Sequence, residues 1–189
     1  MLNRFKAKFL TLLLCISGPT FAPATPSDPS EVNPLEVGNR LPEVDLTDTA
    51  GQQRSLSQIT AGGKNILIFY RGSWCPYCTR HLAAIGQHEQ ALLDRGYRII
   101  AISPDQAETA QEYAAESEFN YSIYSDPELS AIKAFGLAFK WQNPKTGHTQ
   151  IRPVPAIFIT DTEGRITFRH FDANYKERLS PEALFEALE

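Results

Sequence analysis

Cysteine is scarce in this chain: three residues in 189, beside one methionine and two tryptophans. Three thiols cannot supply the two ligand pairs that a structural zinc site usually needs. Basic residues are not in excess either. They number 18 against 22 acidic ones, a net charge of −4, which argues against nonspecific nucleic-acid binding. No internal repeat of solenoid length is visible, and no low-complexity tract. Glu43, Asp45 and Asp48 lack the spacing of a paired-carboxylate or calcium site. What remains is 42% hydrophobic and 11% aromatic, at the length of one ordinary domain.

The N-terminus reads as a targeting segment. Arg4, Lys6 and Lys8 form a basic region, and "FLTLLLCISG" (Phe9–Gly18) is an apolar stretch too short to span a bilayer comfortably. Ala22-Pro23-Ala24 offers a cleavage site, so residues 1–24 are expected to be a signal peptide of an exported protein, periplasmic or secreted. A lipid anchor on Cys15 is the alternative, although leucines precede it where a small residue is expected. Removing the segment takes away three basic residues and no acid. The 18 basic residues become 15 against an unchanged 22 acidic, a net −7. Residues 25–36, rich in Pro, Ser and Thr, are expected to be a mobile linker, with the domain running over 37–189.

Cleavage would leave two cysteines, Cys75 and Cys78, within "FYRGSWCPYCTR" (Phe69–Arg80). A bridge closing so short a loop adds little stability through chain entropy, so a structural staple explains the pair poorly. Haem attachment wants histidine directly after the second cysteine, where Thr79 stands. His81 extends the pattern to C-x-x-C-x-x-H, three candidate ligands for Cu(I) or zinc, so a metal-delivery module remains one reading. The other is a reversible redox disulfide. Cys75 would open a helix, where free backbone N–H groups and the helix dipole favour an anion. Cys78 would follow one turn later on the same face. Thiolates attack disulfides and peroxides alike.

The surrounding pattern is α/β. "VDLTDTAGQQRSL" suggests a hairpin turning at Ala50-Gly51, and "KNILIFY" (64–70) a buried strand. A helix is expected from Pro76 to about Arg95, stopped by Gly96, then a buried strand over 97–103 and a helix over 105–117. A short strand "YSIYSD" and a helix "PELSAIKAFG" follow. "AIFITD" and "RITFRHF" pair through Thr162-Glu163-Gly164, and a last helix starts at Ser180-Pro181. The first half implies a parallel βαβ unit, and the second adds antiparallel strands to the same sheet.

Trp74-Cys75-Pro76-Tyr77-Cys78 resembles the thioredoxin W-C-x-x-C site, with the inner Pro-Tyr of glutaredoxins. Val154-Pro155 before "AIFITD" resembles the cis-proline that lies against that site. "AISPD" and "DTEGRI" are similar to the peroxiredoxin-like branch, the alkyl hydroperoxide reductase and thiol-specific antioxidant family. The resemblance covers about Val37–Leu188. It implies a thioredoxin-like fold, with a central mixed sheet flanked by helices, and a thiol–disulfide oxidoreductase needing no metal or organic cofactor. Substrates would be protein or small-molecule disulfides, a thiol would supply electrons, and a hydroperoxide is the alternative oxidant.

Two registers compete. In the thioredoxin register Cys75 attacks and Cys78 resolves. In the peroxiredoxin register Cys78 falls on the peroxide-attacking cysteine, Cys75 on its threonine and Arg71 on its proline. The family's later arginine falls near Pro155, with Arg152 close but out of step. The thioredoxin register loses nothing and is preferred. Trp74, Pro76, Tyr77, Val154 and Pro155 would then form the substrate-facing rim. Arg71, Arg80, His81, His148 and His170 read as solvated or surface groups, and Trp141 as core.

Overall fold

The computed structural model describes residues 24–189. The signal-peptide expectation therefore lies outside the described residues, apart from Ala24. Residues 25–36, expected to be mobile, are docked on the body and include a 3-10 turn at Pro29–Glu31. The Pro26 carbonyl accepts from Lys140 N–H, the Pro34 carbonyl accepts from the Arg169 guanidinium, and Leu35 N–H donates to the Phe135 carbonyl. Val32 packs with Phe139 and Val154. Glycine makes this docking possible. A Cβ on Gly136 (φ +69°) would lie 2.0 Å from the Asn33 carbonyl oxygen. Composition announced a loop, and tertiary contacts fix it in place.

The expected hairpin forms from β1 (Asp45–Asp48) and β2 (Gln53–Ser55), followed by the short α1 (Leu56–Thr60), which begins in a Ser55–Gln58 capping box. Next come β3 (Lys64–Phe69), α2 (Pro76–Gly86), α3 (Glu89–Asp94) and β4 (Tyr97–Ser103). The single helix expected over Pro76–Arg95 is thus two. His88 has non-helical dihedrals, and Gly86 gives room to the stacked rings of Phe119 and Tyr121, whose centroids are 4.0 Å apart.

The second half contains α4 (Ala107–Glu116), β5 (Ser122–Ser125), α5 (Ser130–Ala134), β6 (Ala138–Gln142) and β7 (Thr149–Pro153). It closes with β8 (Ala156–Thr160), β9 (Ile166–Phe171) and α6 (Pro181–Glu186). Ser180 caps α6 by accepting from Ala183 N–H.

Seven strands form one sheet in the order β2-β1-β5-β4-β3-β8-β9. β3, β4 and β5 are mutually parallel, while β8 lies antiparallel to β3 and β9 antiparallel to β8. The thioredoxin-like α/β architecture, a central mixed sheet flanked by helices, is the one expected. β6 and β7 form a separate hairpin around the "NPKTG" turn. Trp141 lies on β6, half-buried against the small Val32–Phe139–Val154 cluster, not in the main core.

Both faces of the sheet are covered, which is why its central strands are continuously apolar. Ile66, Ile68 and Tyr70 point to a core shared with Leu82, Ile85 and Leu184, on the face of α2 and α6. Leu67 and Phe69 point to the opposite core, with Leu56, Ile132 and Phe135. Cys75 and Cys78 belong to the first core, so the sulfur pair is built into the packing of β3 against α2.

Candidate active site

The site begins where β3 ends. Tyr70 N–H still bonds to the Ile102 carbonyl, and the chain then turns through Gly72. Gly72 has φ +136°, and a Cβ there would meet Trp74 Nε1 at 2.4 Å and Asp105 Oδ1 at 2.8 Å. Only glycine fits. Asp105, carried by the loop after β4, accepts from Ser73 N–H (2.7 Å) and the Ser103 hydroxyl (3.0 Å). It thereby ties the cysteine loop to the end of the neighbouring parallel strand. Cys75 is the N-cap of α2, and its carbonyl accepts from Cys78 N–H (2.9 Å) and Thr79 N–H (3.0 Å).

These constraints set the two sulfurs face to face. Cys78 Sγ donates to Cys75 Sγ at 2.8 Å, and each residue is only 1% exposed. Burial pushes the Cys78 thiol up, and the neighbouring Cys75 sulfur adds to the effect. The Arg71 backbone N–H and the Arg178 guanidinium oppose it. Arg178 Nη2 donates to Cys78 Sγ at 3.6 Å.

Three arginines converge here. Arg71, expected to be a solvated charge, is 8% exposed; its guanidinium carbon lies 4.1 Å from the Tyr175 ring centroid and 5.1 Å from that of Trp74. Aromatic faces buried it where the sequence showed only a charge after a strand. Arg152 stacks on Trp141 at 3.5 Å and lies over Trp74 at 5.1 Å. Burial and the nearby Arg71 weaken its proton affinity, while Cys75 strengthens it. The arginine that looked out of step in sequence thus reaches the same place. Arg80 is exposed as expected, over Tyr77 at 4.8 Å.

The predicted rim is only partly a rim. Trp74 is 56% exposed, Pro76 is exposed, and Tyr77 packs edge-on against Tyr175. Val154 and Pro155 are buried; they wall a cavity beside Arg71, and Pro155 also borders the small void behind Cys78. The Val154–Pro155 peptide is trans, contrary to the expected cis-proline. Val154 N–H bonds to the Leu137 carbonyl, and no tight turn between β7 and β8 demands the cis form.

The metal reading loses its third ligand. His81 Nε2 bonds to the Leu179 carbonyl at 2.9 Å, and burial takes its pKa down to about 4. Among the described residues no group of three His, Cys, Asp or Glu side chains is placed to hold a metal. His148 is exposed as expected. His170 is not a plain surface residue: its Nε2 is buried without a partner among the described residues, facing the void shared with Cys78, His81 and Arg178. Arg178, Tyr175 and Asp105 are the contributors that sequence reasoning missed. Only the "AISPD" string, which contains Asp105, offered any signal.

Comparison with known proteins places this geometry in context. The model of the AhpC/TSA family matches residues 37–169. The 1-Cys peroxiredoxin PER1 of Hordeum vulgare is 29% identical over 110 residues, 54% of this chain and 50% of PER1. The matched region thus spans about half the length of that relative. The thiol-disulfide oxidoreductase ResA of Bacillus cereus is 20% identical over 146 residues, covering 77% of this chain and 75% of ResA. Among solved structures, reduced Prx3 of Vibrio vulnificus in complex with H2O2 superposes with a TM-score of 0.72 at 22% identity, covering 82% of this chain and 99% of Prx3. The bacterioferritin comigratory protein of Xanthomonas campestris gives 0.68 at 19% identity, covering 81% and 97%.

Proposed function

Because the chain belongs to the AhpC/TSA family, we propose that its redox chemistry is that of a thiol-dependent peroxidase cycling a Cys75–Cys78 disulfide. The observation that carries this reading is the closed sulfur pair, 2.8 Å apart and 1% exposed at each cysteine. A small hydroperoxide needs far less exposed sulfur surface than a folded protein disulfide does. Cys78 holds its proton and donates it toward Cys75, which supports Cys75 as the attacking sulfur.

The Cys75 thiolate attacks the terminal peroxide oxygen, the O–O bond breaks, and the alkoxide takes a proton and leaves as alcohol. Cys75 becomes a sulfenic acid. The Cys78 sulfur then attacks the Cys75 sulfur, and its proton departs with the hydroxyl as water. The sulfurs need only close from 2.8 Å to the bonding distance of about 2.05 Å. A dithiol donor returns two electrons and two protons by exchange.

The test is peroxide treatment of Cys78→Ser and Cys75→Ser, followed by sulfenic-acid trapping and mass spectrometry. Cys78→Ser should accumulate sulfenic acid on Cys75, and Cys75→Ser should accumulate little on Cys78. The opposite pattern reverses the roles. A parent protein that consumes no hydroperoxide sinks the peroxidase reading.

A second reading, thiol–disulfide oxidoreductase, is favoured by the 56% exposed Trp74 beside the Tyr77–Tyr175 pair, an apolar rim suited to a protein partner. The match to ResA supports it as well. Export after cleavage near Ala24 is part of the proposal and rests on the basic and apolar pattern of residues 1–24.

A further inference from the structure

A buried cation without a counter-ion is costly, and Arg71 is such a cation. Its Nε is sealed from solvent with no partner among the described residues, and it takes part in none of their ion pairs. The faces of Trp74 and Tyr175 offset part of that cost. They supply no anion.

Arg71 lines a cavity of about 350 Å³, whose other walls include Phe139, Lys140, Trp141, Val154 and Tyr175. This is within the size range of small-molecule sites. No acidic residue contributes to the lining. The combination is amphipathic: aromatic and aliphatic walls, one buried guanidinium and one ammonium at the rim. Arg71 also connects the cavity to the thiols, because its guanidinium lies over the ring of Trp74, the residue directly before Cys75. Arg152 stands over Trp74 on the same side and feels Cys75.

We propose that this cavity is a carboxylate-recognition subsite of the thiol centre, taking a small organic acid whose carboxylate pairs with Arg71 and whose apolar part lies against Phe139 and Trp141. The acid is carried either by the oxidant, an organic hydroperoxide, or by the reductant, a low-molecular-weight thiol. The inference rests on the thiol-redox reading of Cys75 and Cys78, but its binding step does not require turnover.

The first measurement is therefore binding to the reduced full chain, followed by tryptophan fluorescence, with phenylbutyrate and its methyl ester as probes. The acid should bind about tenfold or more tightly than the ester, as expected of a charge-assisted hydrogen bond, and added salt should weaken it. Arg71→Met should remove the preference. Lys140→Glu, a change at an exposed position, should weaken acid binding severalfold even if Arg71→Met fails to fold. Equal binding of acid and ester, or none of either at millimolar concentration, overturns the proposal.

Turnover then separates the two sources. One arm compares para-carboxylated cumene hydroperoxide with its methyl ester, and the other compares mercaptopropionate with its methyl ester as reductant. A preference for the acid in the first arm assigns the subsite to the oxidant, and in the second to the donor. Acid binding with no preference in either arm overturns its role in the reaction. The reductant arm is run on protein already oxidised with diamide, so a protein with no peroxidase activity at all leaves the binding and reductant arms intact and the two failures are distinguishable.

Discussion

Acidification should loosen the floor of the thiol site through a single histidine. His81 lies under Cys78 on α2, donating through Nε2 to the Leu179 carbonyl, and burial takes its pKa from 6.5 down to about 4. The folded protein therefore binds this proton less readily than the unfolded chain. Stability from this group is fully present above pH 6.5 and is lost as pH falls toward 4, because in that window the unfolded state holds more protons. Each pKa unit is worth 1.36 kcal/mol, so the loss reaches about 3 kcal/mol below pH 4 and about 2 kcal/mol at pH 5. His170, lowered by burial as well, acts in the same direction. His81→Gln keeps a donor for Leu179 and cannot titrate. Urea unfolding of parent and variant at several pH values between 7 and 4.5 isolates the effect, since the carboxylates titrate alike in both. The stability difference between the two should move by about 2 kcal/mol in favour of the variant on going to pH 5. A difference that stays flat across the window would refute the reasoning, and would show that His81 is solvated in the folded protein.

Two further predictions concern the geometry around the sulfurs. Arg178→Met should slow reductive opening of the disulfide about tenfold and raise the Cys78 thiolate titration seen by ultraviolet absorbance, with Arg178→Lys restoring part of both; an unchanged titration would remove Arg178 from the chemistry. Gly72→Ala should destabilise the fold by roughly 2 kcal/mol or more, because it combines a disfavoured φ with a collision against Trp74 and Asp105; calorimetry that finds parental stability would show that the loop can relax.

What the sequence disclosed and what it hid divide along a physical line. β3, β4 and β8 were legible because strands buried on both faces must be apolar throughout, and α6 because Ser180 and Pro181 announce a helix start locally. The Cys75–Cys78 pair was legible because its spacing carries its own chemistry. The β6–β7 hairpin was not, because "AFKWQ" and "TQIRP" mix charge with apolar residues on strands outside the main sheet. The docking of residues 25–36 depends on a side chain that Gly136 does not have, a hundred residues downstream. Arg178 reaches Cys78 across a hundred positions, and Arg71 is buried by a tyrosine from the same distant loop. No local pattern encodes such contacts. They arise when β9 delivers the segment before α6 to the back of the site.

For the proposed peroxidase cycle, that distant segment bears on which sulfur attacks. Exposure does not distinguish them, since both are 1% exposed. Their hydrogen bonds do. Cys78 gives its proton toward Cys75 and receives the Arg178 guanidinium. A sulfur so placed starts as a thiol with a cationic partner already in position for a thiolate. Those are the two states a resolving cysteine needs. As a thiol, it supplies the proton that leaves with the sulfenic oxygen as water. As a thiolate, it is the leaving group when a donor thiol attacks Cys75 and opens the disulfide, and a leaving sulfur departs faster when its anion is stabilised. Were Cys78 the attacking sulfur, its buried thiol would have to ionise before meeting peroxide, against the burial that raises it. The same arrangement thus serves both halves of the cycle when Cys75 attacks, and only the reductive half when Cys78 does.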